Sequence, residues 1–279
     1  MSRTASRVGP RWTSPGGAHR GRGWEPFHGF HLTTAIFYAA LVGAWQLLHQ
    51  LGPWPEYILP GPMQVAAALW QGFADTTFLH GIGVTLRRLV LGYGLSLLFG
   101  TFLGLLVGRV RWVGDTLGSL MLGLQTLPSI CWLPLAILWF GLNEKAIQFV
   151  VVMGAVLAIA INTSDGVKTI PPIYLRAGQN LGARGWRLLW VIVLPAALPS
   201  IITGAKLGWS FAWRSLMAAE LIFVSLGLGQ LLTAARELND IAQVMAVMLV
   251  IIGLGLLVDH LVFGRLERRI RRIWGLASA

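Results

Sequence analysis

The chain has 279 residues, 55% of them hydrophobic and only 12% charged, with a mean hydropathy of +0.67. That is too apolar for an ordinary soluble domain and places the chain in the integral membrane class. The formal net charge of +11 does not indicate nucleic-acid binding, because the arginines collect outside the apolar runs and no water-soluble domain is left to carry a basic surface.

Residues 1–30 are rich in Gly, Pro, Ser and Arg, lack periodicity and carry Arg3, Arg7, Arg11, Arg20 and Arg22. They read as a disordered basic tail rather than a signal peptide, whose charged region would be shorter. Six apolar runs follow, at about 31–51, 89–107, 117–140, 146–161, 196–224 and 241–263. Each approaches the roughly 20 residues that a helix needs to cross a bilayer. The last run leads into a second basic tail, 265–279, with Arg265, Arg268, Arg269, Arg271 and Arg272. The fold class expected is therefore all-α integral membrane, with about six transmembrane helices in a domain spanning 31–264. An even number of spans puts both termini on one side, and the arginines at each end put that side in the cytoplasm. Arg109 and Arg111 fit this topology; Arg87 and Arg88 break it, since they fall at the outer interface. The lone Cys131 lies in an apolar run and reads as a packing thiol. Gly92, Gly94, Gly100, Gly104 and Gly108 would let helices approach closely in lipid, and on that basis a pairing of two copies of the chain is expected.

Between the fourth and fifth runs lies a polar, helix-compatible segment, 171–195, carrying Arg176, Arg184 and Arg187. Pro171 and Pro172 suit a helix start, Gly182 suits a break or close packing, and Pro195 and Pro199 begin the return into the membrane. Two short helices held across the membrane face are expected, as a docking surface or as a plain interfacial helix. The fifth run presents Lys206, Ser210 and Arg214 at i, i+4 and i+8, one helix face, with Trp213 beside it and Glu220 beyond. Basic groups at membrane depth are costly, and a stripe of them suits an anion pathway. The alternative is that Arg214 pairs with Glu220 to brace the bundle while Lys206 snorkels. Asp259 and His260 fall near the end of the last run, where the cytoplasmic interface is expected. Pro128 and Pro134 should kink or break the third span, and such breaks can line cavities.

The order Ala177, Gly182, then Ile192-Val193-Leu194-Pro195 resembles the EAA loop of ABC-importer permeases, with Arg176 at the position of the family's Glu and Gly178 at that of its second Ala. Pro128, Pro134, Trp139, Phe140, Gly141 and Glu144 in the third span, and Glu220, Gly227 and Gly229 at the end of the fifth, resemble the nitrate/sulfonate/taurine/bicarbonate branch over about 58–269. The resemblance implies a type I ABC importer permease in a bacterial inner membrane. Arg176, Ala177, Gly178, Gly182, Ala183, Ile192, Leu194 and Pro195 would then couple to the ATPase. Implied partners are two cytoplasmic ATPase subunits, a second permease chain, an extracytoplasmic binding protein and the lipid membrane; the substrate would be a small anion. No GxxxxGK[ST], HExxH or CxxC occurs, so no catalytic residue, metal ligand or cofactor is expected on this chain, and ATP and Mg belong to the partner. The competing readings are a stand-alone secondary transporter coupling through Lys206, Arg214, Glu220 and Asp259, and a membrane scaffold, which would leave the buried charges unexplained.

Overall fold

The structure, a computed structural model, describes residues 30–55 and 57–265. The basic tails inferred at 1–30 and 265–279 lie, apart from Phe30 and Arg265, outside the described residues. Helix α1 (Phe30–Leu51) presents Ile36, Phe37, Leu41 and Val42 outward. It is tied to the following loop by Trp45 Nε1, which donates to the Pro60 carbonyl at 3.0 Å. A short helix α2 (Pro62–Ala74) leads into α3 (Thr77–Arg109), whose 33 residues start well before the apolar run at 89. Then come α4 (Arg111–Gln125), a 3₁₀ turn (Ser129–Trp132), α5 (Leu133–Phe140) and α6 (Glu144–Lys168). The segment expected to dock forms α7 (Pro172–Asn180) and α8 (Gly185–Leu188). A π-helical turn (Leu189–Val193) joins α8 to α9 (Leu194–Glu220). The chain ends with α10 (Leu228–Glu237), α11 (Ile241–Val258) and a second π-turn (Asp259–Phe263).

Among the described residues, four helical stretches are long and apolar enough to cross a membrane: Thr77–Arg109, Glu144–Lys168, Gly185–Glu220 and Ile241–Phe263. The third apolar run is a broken pair, α4 and the 3₁₀ turn with α5, bent by 102°, and counts as a fifth. Helix α1 is the remaining run; Thr33, Thr34, Gln46, His49 and Gln50 thin its apolar content. Two boundaries differ from the sequence reading for the same reason. Pro195 and Pro199 do not begin a new element, because the π-turn widens the helix just where Pro195 removes an amide donor. One continuous helix thus runs from the docking segment to Glu220.

The core is built on α6, with α3 on one side and α9 on the other. Glycines make both contacts. A Cβ at Gly92 would lie 2.6 Å from Val151, at Gly100 2.8 Å from Ile159, at Gly104 2.4 Å from the Ala160 carbonyl, and at Gly108 2.7 Å from Val167. The register advances in step, so α3 and α6 run parallel. On the other side Gly154 meets Ser215 while Gly208 and Gly204 meet Ile159 and Asn162, so α9 runs antiparallel to α6. The glycine seam is therefore consumed inside one chain, and it offers no surface for pairing two copies as the sequence reading supposed. Gly94 is the exception, with nothing within 4 Å. Gly104→Val should therefore destabilise the protein by about 1–3 kcal/mol, since the carbonyl facing it is backbone and cannot swing away. Gly94→Val should shift thermal unfolding in detergent far less, and equal shifts for the two would refute the seam.

Candidate functional site: a mid-span break beside an arginine, a buried ionic knot and a docking segment

The break between α4 and α5 is set by Pro128, an extended residue that cannot continue the helix from Gln125. Pro134, near the start of α5, sits where its missing amide costs nothing. Both prolines are exposed. The break seats against α6 and α9 because Gly154 carries no side chain: a Cβ there would lie 2.0 Å from Ser215 Oγ. Ser215, fully buried, bonds Ser129 Oγ and the Phe211 carbonyl, each at 2.7 Å. A cavity of about 130 Å³ opens at this point, lined by Gln125, Thr126, Ser129, Gly154 and Phe211 among others. Cys131 is exposed on the 3₁₀ turn rather than packed.

Arg214 does not line that cavity but stacks on Phe211, which does. Its guanidinium carbon lies 4.9 Å over the Phe211 ring, and Nε donates to the Ser210 carbonyl at 3.1 Å. Arg214 and Ser210 are both exposed on the outside of the single chain. The bracing pair of Arg214 with Glu220 does not form; among the described residues Arg214 has no carboxylate partner. Trp213 instead packs inward against the core and toward Gly255 of α11. Lys206 is not snorkelling alone: its Nζ lies 3.8 Å from Asp259 Oδ1, both side chains being a little under half exposed.

Glu220 is engaged elsewhere. It is fully buried and accepts from Arg88 Nη1 at 2.8 Å, from Thr85 Oγ1 at 2.9 and 3.1 Å, and from the Gly229 amide at 3.1 Å. Arg88, only 3% exposed, spends its remaining donors on both oxygens of Glu144, on Ser225 Oγ at 3.1 Å and on the Leu226 carbonyl at 2.9 Å. Thr85 Oγ1 in turn accepts from the Leu228 amide. A Cβ at Gly227 would lie 2.7 Å from Glu220 Oε2 and one at Gly229 2.5 Å from Glu220 Cβ, so both glycines are needed for the loop to close over the knot. One guanidinium thereby fastens α3, the start of α6, the end of α9 and the loop into α10. Arg88 is 21 residues from Arg109, about 32 Å of helix, which places the knot at the opposite end of the bundle from α7 and α8. Sequence reading missed its role, although the departure of Arg88 from the charge rule was the signal. Arg87 is exposed.

At the other end, α7 leaves Ile173, Tyr174 and Arg176 exposed, and Leu181 and Trp186 are 86% and 71% exposed. Gly178 is buried against Leu188 and Ile192, at 3.0 and 2.9 Å from a built Cβ, and accepts from the buried Ala183 through its carbonyl at 2.9 Å. Ala177 is exposed, Leu194 half-buried and Pro195 exposed. Gly182 has φ of +84° and nothing within 4 Å of a built Cβ. It serves the break, not close packing; Gly178 does the packing.

Residues 96–272 match the family described as binding-protein-dependent transport system inner membrane component. The chain belongs to that family. This permease is 37% identical over 193 residues to a putative ABC transporter permease protein of Methanocaldococcus jannaschii, covering 68% of this chain and 72% of that protein. It is 32% identical over 237 residues to the taurine transport system permease protein of Escherichia coli (83% and 86% covered). It is 27% identical over 240 residues to the nitrate import permease protein of a Synechocystis species (83% and 86%). The permease is thus the multi-pass inner-membrane component of an ABC transporter and not itself an ATPase. Such a system works with an ATPase and a binding protein, so the reading as a stand-alone secondary transporter is set aside.

Proposed function

We propose that this permease forms the path of an ATP-driven, binding-protein-dependent importer for a small oxyanion of the nitrate, sulfonate, taurine or bicarbonate kind. The observation that carries this reading is Arg214. It is a guanidinium inside a span, stacked on Phe211 of the cavity wall and one residue before Ser215, which bonds the helix break at Ser129, on a face the chain leaves open. Facing lipid would be prohibitive. A second copy of the chain covering that face, with water and the passing anion between, satisfies the charge. Relatives named for taurine and nitrate support the substrate class. Lys206, Ser210, Trp213, Pro128 and Pro134 belong to the same path as supports, with Lys206 neutralised by Asp259. Glu220 acts at its end through Arg88.

Residues 171–195 are the coupling segment on which two cytoplasmic ATPase subunits dock, and those subunits bind ATP and Mg. The exposed Ile173, Tyr174 and Leu181 supply the contact surface, and the unbroken helix from Gly185 to Glu220 carries a push from the ATPase to the Arg88 knot. Both termini are then cytoplasmic, and the knot lies at the extracytoplasmic end, under the binding protein. Uptake assays in proteoliposomes with taurine, alkanesulfonate, nitrate and bicarbonate in competition test the substrate class; uptake of a cation or a neutral solute alone would overturn it. For the docking, Gly182→Trp forces a side chain into left-handed backbone at the contact surface, whereas asparagine tolerates that conformation. The tryptophan variant should lose the co-purifying ATPase and Gly182→Asn should keep it. A Gly182→Trp protein that retains a fully active ATPase overturns the docking assignment.

A further inference from the structure

A groove of about 750 Å³ runs between the second half of α3 and the stretch where α8 passes into α9. Leu98, Phe102 and Leu106 form one wall, Trp186 and Trp190 the other, and Arg109 is the one charged residue among those lining it. The two tryptophans pack edge to face at 5.7 Å, and both are more than half exposed. Walls of this kind offer water almost no partner, so in a membrane the groove fills with hydrocarbon. Its α3 wall extends over the thirteen residues from Leu97 to Arg109, or about 18 Å. That is close to the depth of one leaflet, about half of a hydrocarbon core roughly 30 Å thick. At the mouth, where that leaflet ends, stand an arginine and a pair of tryptophans, residues suited to a headgroup region.

We propose that this groove is a binding site for one anionic phospholipid of the leaflet on the side of α7 and α8, with an acyl chain along Leu98, Phe102 and Leu106 and the headgroup phosphate on Arg109. The charge argument separates it from a second protein helix: an apolar helix filling the groove would leave Arg109 without a complement at the mouth, whereas a phosphate supplies one. The lipid also touches the moving part. Trp186, Leu189 and Trp190 lie in α8 and the π-turn, so an occupied groove braces the joint between the coupling segment and the long helix. The inference rests on the proposed orientation only in naming the leaflet as cytoplasmic; the groove, its length and its arginine do not depend on it.

The probe is phosphatidylglycerol against phosphatidylcholine, with the purified transporter reconstituted in mixed-lipid nanodiscs and the retained lipid counted by native mass spectrometry after gentle detergent extraction. The wild type should retain phosphatidylglycerol preferentially. Arg109→Gln should cut that preference about fivefold, the equivalent of about 1 kcal/mol for one basic side chain at an anionic surface. Leu98→Trp, which fills the groove from an exposed position, should lower retention of both lipids. A photo-crosslinker at Phe102 should label lipid. Equal retention of the two lipids by the wild type, an unchanged preference in Arg109→Gln, or crosslinking of Phe102 to a second copy of the chain would each overturn the site.

Discussion

Arg88→Ala is expected to be the most destabilising single substitution at the ionic knot, by about 3–5 kcal/mol. Arg88 is 3% exposed and Glu220 fully buried, so the truncation leaves a carboxylate in the interior with only Thr85 and one amide to hold it. It also releases Ser225 and the Leu226 carbonyl, freeing the loop after α9. Thermal unfolding in detergent, read by tryptophan fluorescence, measures the effect. Glu144→Gln should cost much less, because the Glu144 side chain is 53% exposed and water replaces what is lost. The paired change Arg88→Met with Glu220→Leu should recover part of the loss, since it removes the buried charge together with its partner. An Arg88→Ala protein as stable as the wild type would mean that the knot does not hold the bundle together.

Arg214→Ala should do the opposite: leave stability within about 0.5 kcal/mol of wild type, as for an exposed side chain, and reduce substrate uptake by roughly 10- to 100-fold. The lower and upper figures correspond to the loss of one hydrogen bond to a charged partner. Removing Glu220 cannot rescue it, because Glu220 is committed to Arg88 and not to Arg214. Uptake by purified protein in proteoliposomes, with binding-protein-stimulated ATP hydrolysis recorded in parallel, separates transport from assembly. Undiminished uptake by Arg214→Ala would remove Arg214 from the path. A matching loss of thermal stability would assign it to bracing instead.

Much of the site was legible in the residue order. Pro128 announced the break and the i, i+4, i+8 spacing announced a basic stripe on the fifth span. The 171–195 segment announced two short helices, and they formed. Spacing along one helix could not say what faces that stripe. Lys206 meets Asp259 because the turn after α11 packs on α9 there, with Phe263 against Trp209, and Glu220 pairs with Arg88 of α3 because six residues along α9 put Arg214 on a different face of the helix. The glycines misled for a related reason: small residues signal a close approach, but not whether the approaching helix belongs to the same chain.

The sequence by itself determined the solvent of this protein, its apolar segments, the breaks between them and the family it belongs to, because hydropathy, proline and glycine act on the chain locally. Only the tertiary structure decided which charges neutralise one another, which glycines are spent inside the bundle and that α8 runs on into the fifth span as one rod. The first two outcomes depend on helices far apart in the sequence, 56 residues for Arg88 with Glu144 and 132 for Arg88 with Glu220, meeting side by side. In a medium without water, each buried ionisable group must then find its partner on whichever helix the packing brings within reach.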